Sequence, residues 1–133
     1  MMTFTRLAVV LVLFISASGC AQKQVVAGQA VHPAPQVAIH IRNLKFVPQD
    51  IQVTPGTVIR WTNLDPMDHD VTSGVSINGR KARGLKKTRF PDQKFSSGLF
   101  GKNRTFSVTL SKPGEYPYYC SVHPFMTGKI IVK

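Results

Sequence analysis

Apolar residues follow three regimes along this chain. From Leu7 to Ile15 they run unbroken, nine in a row (LAVVLVLFI). Between residues 20 and 36 they thin out and lose any period. From Val37 onward they alternate with polar ones. Val37, Ile39 and Ile41 interleave with Ala38, His40 and Arg42, which predicts a half-buried strand with His40 outward. Phe46 and Pro48 lead into Ile51 and Val53, again with period two, and Pro55-Gly56 reads as a turn. Thr57 to Thr62 is β-rich and holds the one tryptophan, Trp61, which is expected in the core with Phe46. His69 to Thr72 can pair again. Phe106, Val108 and Leu110 alternate, Pro113-Gly114 is a second turn, and Tyr116–Cys120 and Lys129–Val132 read as the last strands. Tyr118 and Tyr119 are neighbours on a strand, so one is expected inward and the other outward. Residues 73–98, rich in Gly, Ser and Lys/Arg, read as a long loop with little core. About seven to eight short strands with turn signals and no helical stretch predict an all-β sandwich or barrel.

The unbroken apolar run belongs to a different story. Arg6 precedes it and Ser16-Ala17-Ser18-Gly19 follow it, the layout of a secretory signal over residues 1–19. It is too short to span a bilayer comfortably. Cys20 after Ala17-Ser18-Gly19 resembles the lipobox of bacterial lipoproteins, with Ala17 where that group usually has Leu. The resemblance implies lipidation of Cys20, and Ala21 in place of Asp implies the outer membrane. Residues 20–36 then form a flexible tether with a reach of roughly 20–25 Å, and residues 37–133 form the folded domain. The expected location is the bacterial periplasm, with membrane contact only through the N-terminal lipid.

Charge narrows the partners. The net charge is +11, and nine basic residues lie between Arg80 and Arg104 with only Asp92 against them. This basic loop, residues 76–104, has three open readings: docking of an acidic redox partner through Lys86, Lys87 and Arg89, attachment to anionic lipid, or a solvated loop. Nucleic acid is a poor partner for an exported protein.

Once residues 1–19 are removed, Cys120 is the only cysteine besides Cys20, so no disulfide forms inside the domain. Its surroundings are Tyr118-Tyr119-Cys120-Ser121-Val122-His123-Pro124-Phe125-Met126, a C-x2-H-x2-M spacing between two strands. A short loop there can turn the three side chains toward one point. Thiolate and thioether are soft donors and imidazole is borderline, a set that favours copper; two His, one Cys and a weak axial Met make the blue-copper arrangement. The second histidine must come from elsewhere. His32 lies in the tether and His40 points outward, which leaves His69. Half of a structural zinc site is the competing reading of Cys-x2-His, but no second Cys or His pair lies close in sequence.

Together YYCSVHPFMTGKIIV, FVPQDIQVTPGTVIRWTN and MDHDV resemble the cupredoxins, type 1 blue copper proteins of the plastocyanin and amicyanin type, with the ligand loop nearest the amicyanin pattern. The likeness spans about residues 37–72 and 105–133. It implies a Greek-key β-sandwich and one copper ion cycling Cu(II)/Cu(I), bound by His69, Cys120, His123 and Met126. It also implies that Asn63 ties the two ligand loops together and donates toward the Cys sulfur. Met67, Pro124 and Phe125 are the expected apolar patch through which electrons leave. The implied function is one-electron transport between a protein donor and acceptor by a monomer that is not itself an enzyme, since no His-x-His cluster is present. Two rivals remain: a copper storage or delivery protein, and a zinc-stabilised interaction module. Two departures stand out. Asp68 replaces a proline beside the first His, and the stretch from His69 to Cys120 is longer than the pattern by the basic segment.

Overall fold

The computed structural model describes residues 33–78, 81, 83–85, 88–123 and 125–133. The signal at 1–19, most of the tether with Cys20, and Lys86, Lys87 and Pro124 lie outside them.

Nine strands form among the described residues: β1 (Gln36–Arg42), β2 (Lys45–Val47), β3 (Asp50–Val53), β4 (Thr57–Asn63), β5 (Thr72–Ser76), β6 (Arg89–Ser96), β7 (Thr105–Leu110), β8 (Gly114–Tyr119) and β9 (Thr127–Val132). They make two sheets, ordered β2-β1-β4-β7 and β3-β9-β8-β5-β6. Parallel pairs β1–β4 and β3–β9 join strands from distant hairpins, and the remaining pairs are antiparallel. This is the expected all-β sandwich.

The alternation read from the sequence sets the core. Ile39 and Ile41 of β1, Ile59 and Trp61 of β4, and Ile130 and Val132 of β9 are buried, while His40 is exposed. Trp61 lies at the centre, edge-on to Tyr118 with ring centroids 5.4 Å apart and tilted against Phe95 and Phe106. Such offset and edge contacts add to the apolar burial.

Two expectations need correction. Residues 73–98 are not a long loop: β5 and β6 occupy both ends of the segment, and Phe95 joins the core. The strand escaped notice because β6 is an edge with one buried residue in eight positions, so no period shows. Tyr118 and Tyr119 are both buried, at 1% and 3% exposure. Tyr119 pairs with Thr72 of β5 and lies within electrostatic reach of Asp70, Arg89 and Asp92.

Gly74 makes the hairpin possible. Its φ is +128°, and a Cβ there would collide with the Phe90 carbonyl oxygen and with Pro91 Cα at 2.7 Å. The ladder slips register at this residue, a bulge that needs glycine.

Register also fixes where the connections gather. Thr62 pairs with Thr105, and Thr72 pairs with both Ser96 and Tyr119, which in turn pairs with Thr127. The three connections 64–71, 97–104 and 120–126 therefore emerge at one end of the sandwich.

Candidate metal centre

At that end the connections are stitched to one another by backbone bonds. His69 and Phe100 exchange both N–H···O bonds, at 3.2 and 2.8 Å. Asn103 N–H donates to Asn63 O at 2.7 Å, and Cys120 N–H to Met126 O at 3.0 Å. Met126 N–H donates to His123 O at 3.0 Å, which curls the last loop so that Cys120, His123 and Met126 share one side.

The ligand atoms of His69, Cys120 and His123 all lie within 4.8 Å of one another. Cys120 Sγ is 3.8 Å from His69 Nδ1 and 3.5 Å from His123 Nδ1. The two imidazole rings lie with centroids 4.6 Å apart, tilted 52° to each other. His69 and Cys120 are fully buried, Met126 is 2% exposed, and only His123 is part-open to solvent.

His69 is oriented from behind. Its Nε2 lies 3.0 Å from Asp65 Oδ2, so Nε2–H donates to the carboxylate and Nδ1 keeps its lone pair toward the sulfur. Asp65 also accepts the N–H groups of Asn43 (2.7 Å) and Leu44 (3.0 Å). Burial alone would raise the Asp65 carboxyl; these two N–H groups and His69 outweigh it and hold it below the usual range. Burial pushes His69 down, favouring the neutral ring that a metal requires, although Asp65 opposes it.

The Cys120 loop is tied to the His69 segment by Asp70. Its Oδ1 accepts Ser121 N–H at 2.6 Å and Ser121 Oγ–H at 3.0 Å, and its Oδ2 accepts Thr72 Oγ1–H at 2.6 Å. Asp70 is 4% exposed. Burial raises the Cys120 thiol; the backbone N–H groups of Asp70 and Val122 pull the other way, toward the thiolate, while the Asp70 carboxylate adds to the rise.

The expected role of Asn63 is corrected here. Its Nδ2 donates to Met67 O (2.8 Å) and Phe100 O (2.9 Å), and its Oδ1 accepts Asp65 N–H at 2.9 Å. It thus holds the His69 loop against the Phe100 segment, while the link to the Cys120 loop and the N–H toward sulfur belong to Asp70. Asp65 and Asp70 were missed in the sequence. The available signal was the acidic residues four before and one after His69, which only the fold turns inward.

The other expected site residues are placed as follows. Met67 is 44% exposed and Phe125 83%, both at the metal end. Arg89 is half-buried with its Nε enclosed.

The donors fit copper. One sulfur that can ionise and two imidazole nitrogens converge, a thioether lies in the same loop, and the converging group includes no carboxylate among the described residues. Comparison with known proteins agrees. The family model of copper-binding proteins, plastocyanin/azurin family, matches residues 34–133. Amicyanin from Paracoccus versutus is 29% identical over 101 residues, covering 76% of this chain and 67% of that protein. A purple cupredoxin from Nitrosopumilus maritimus superposes with a TM-score of 0.58 at 25% identity, over 73% of this chain and 99% of that one. A copper-containing nitrite reductase from Thermus scotoductus superposes with a TM-score of 0.59 at 26% identity, over 81% of this chain but 24% of its own. With fold, donor set and sequence in agreement, the chain belongs to the plastocyanin/azurin family of copper-binding proteins and its cofactor is one copper ion.

Proposed function

We propose that this protein is a type 1 copper electron carrier in which His69, Cys120, His123 and Met126 would hold the metal. The observation that carries the reading is the asymmetry of the centre. Two donors and the thioether are sealed, and only His123 reaches toward solvent. A sealed, hydrogen-bonded site holds one geometry through both copper oxidation states, which keeps rearrangement small. The part-open imidazole, at the same end of the sandwich as exposed Phe125 and Met67, gives electrons one short way in and out. Copper supplies the one-electron couple; the chain supplies fixed donors and excludes water.

The protein is not itself an enzyme in this reading. The nitrite reductase neighbour shows that the fold also serves within an enzyme. The reading rests on the sequence, which carries no His-x-His cluster of the kind a larger copper enzyme adds. The partners are a protein donor and acceptor with acidic docking surfaces, met by a monomer in the periplasm. Lys86, Lys87 and Arg89 were the expected docking residues, and of these Arg89 is half-buried. Export and lipidation of Cys20, with an outer-membrane anchor, rest on the N-terminal sequence alone.

Titration of the purified protein with Cu(II), followed by visible spectroscopy, tests the assignment. An intense thiolate-to-copper band, bleached by ascorbate and absent in Cys120→Ala, is the expected outcome. A colourless complex would sink it and favour zinc. A band that vanishes within seconds on adding a chelator would favour copper delivery.

A further inference from the structure

Asp70 combines three properties that neither Asp65 nor Asp68 has together. It is buried, its carboxylate is met by neutral donors only, and it stands between the two ligand segments. Its partners are Ser121 N–H, Ser121 Oγ–H and Thr72 Oγ1–H, and no Lys or Arg forms an ion pair with it among the described residues. Asp65, in contrast, is engaged by the His69 ring. Asp68 is exposed, so solvent and salt screen it. Asp70 follows His69 directly, and its partner Ser121 follows Cys120. A carboxylate in that place acts twice. It bolts the sulfur-bearing loop to the His69 segment across 51 positions of sequence. It also places a weakly screened negative charge beside a centre that is one unit more positive when oxidised than when reduced. Such a charge favours the oxidised form.

We propose that Asp70 is a positioning residue that also lowers the reduction potential of the copper centre, making the reduced protein a stronger electron donor than its four ligands alone would give. This rests on the copper-carrier reading.

The test uses the full chain loaded with copper, equilibrated against a one-electron mediator and followed by the visible band and by voltammetry. Asp70→Asn keeps the size of the side chain and an acceptor oxygen for Ser121 but removes the charge. The expected result is a retained band and about a tenfold shift of the equilibrium toward reduced protein, ~59 mV for a one-electron couple. Asp68→Asn, at an exposed site, should shift it far less, and that shift should fade at high salt. Asp70→Ser serves as a second neutral variant should the amide fold poorly. Asp70→Ala removes the bolt as well: besides the higher potential it should lose copper to a chelator faster and lower the thermal midpoint of the metal-free protein. A potential in Asp70→Asn and Asp70→Ser no higher than in Asp68→Asn overturns the proposal while leaving the carrier reading intact. Absence of the band in the unmutated protein defeats that reading instead.

Discussion

Asp65 decides which nitrogen of His69 faces the sulfur. By accepting the Nε2–H hydrogen bond it leaves the Nδ1 lone pair for the metal, and by accepting Asn43 and Leu44 N–H it holds two consecutive residues with φ of 54° and 59°. Asp65→Ala should therefore weaken copper binding about 10- to 100-fold, read by competition with a chelator. It should also cost the metal-free protein about 1–3 kcal/mol from the two N–H groups it abandons, read by denaturant unfolding. Met126→Leu should keep copper and the band but raise the potential, because the thioether would stabilise Cu(II) more than a methyl group does; a constant potential in voltammetry would argue against Met126 as a ligand. At this scale the sequence was readable where chemistry is local. Cys120, His123 and Met126 lie within one turn of loop, so spacing alone exposes them. Asp65 and Asp70 act through side-chain bonds to Asn43, Leu44 and Ser121, across 22, 21 and 51 positions, and nothing in their local pattern separates them from Asp68. Asn63 was placed in the right region but given the wrong partners, because sequence does not say where an amide points.

The β5–β6 hairpin borders the basic segment, and a few side chains fix its geometry. Gly74 lets β6 pass close, Ser73 Oγ accepts Phe95 N–H at 2.9 Å, and Asp92 holds Lys94 by an ion pair of 2.9 Å. Gly74→Ala meets backbone at once in a conformation side chains avoid, so it should destabilise the fold by about 1–3 kcal/mol in equilibrium unfolding. Asp92 gives the hairpin an acid limit. Burial raises its carboxyl, but Ser73 and Lys94 more than offset this and its acidity ends up stronger than in the unfolded chain. A carboxyl depressed on folding stabilises above its unfolded value, here 3.8, and that stability is lost as pH falls through the lower folded value. Thermal midpoints should thus drop between pH 5 and about 3 more steeply in the unmutated protein than in Asp92→Asn. The hairpin was illegible because RFPDQKFS carries a proline, two basic residues and one acidic residue, a composition expected in loops, with only Phe95 buried. Strand β1, in contrast, buries alternate residues and was read from that period.

For the molecule as a whole, the excess positive charge and the place where electrons cross are separate matters. β5 and β6 carry the hairpin tip, with exposed Lys81 and Arg83, away from the metal end by roughly 15 Å at the rise of a five-residue strand. Exposed Lys102 and Arg104 instead lie on the 97–104 connection, beside Asn63 and the exposed Leu64 and Leu99. Charges near the crossing point fix the docked complex, while distant ones only steer the approach. Reversing Lys102 and Arg104 to Glu should therefore slow electron exchange with an acidic protein acceptor more than reversing Lys81 and Arg83, when both are measured by stopped flow at low salt. Both effects should shrink as ionic strength rises past about 0.1 M, where exposed charges more than about 10 Å apart no longer sense each other. If the tip pair dominates, the acceptor docks along the hairpin and the exposed edge of His123 is not the crossing point. Equal and small effects would mean that the apolar surface around Phe125 governs docking, with the basic charge serving solubility.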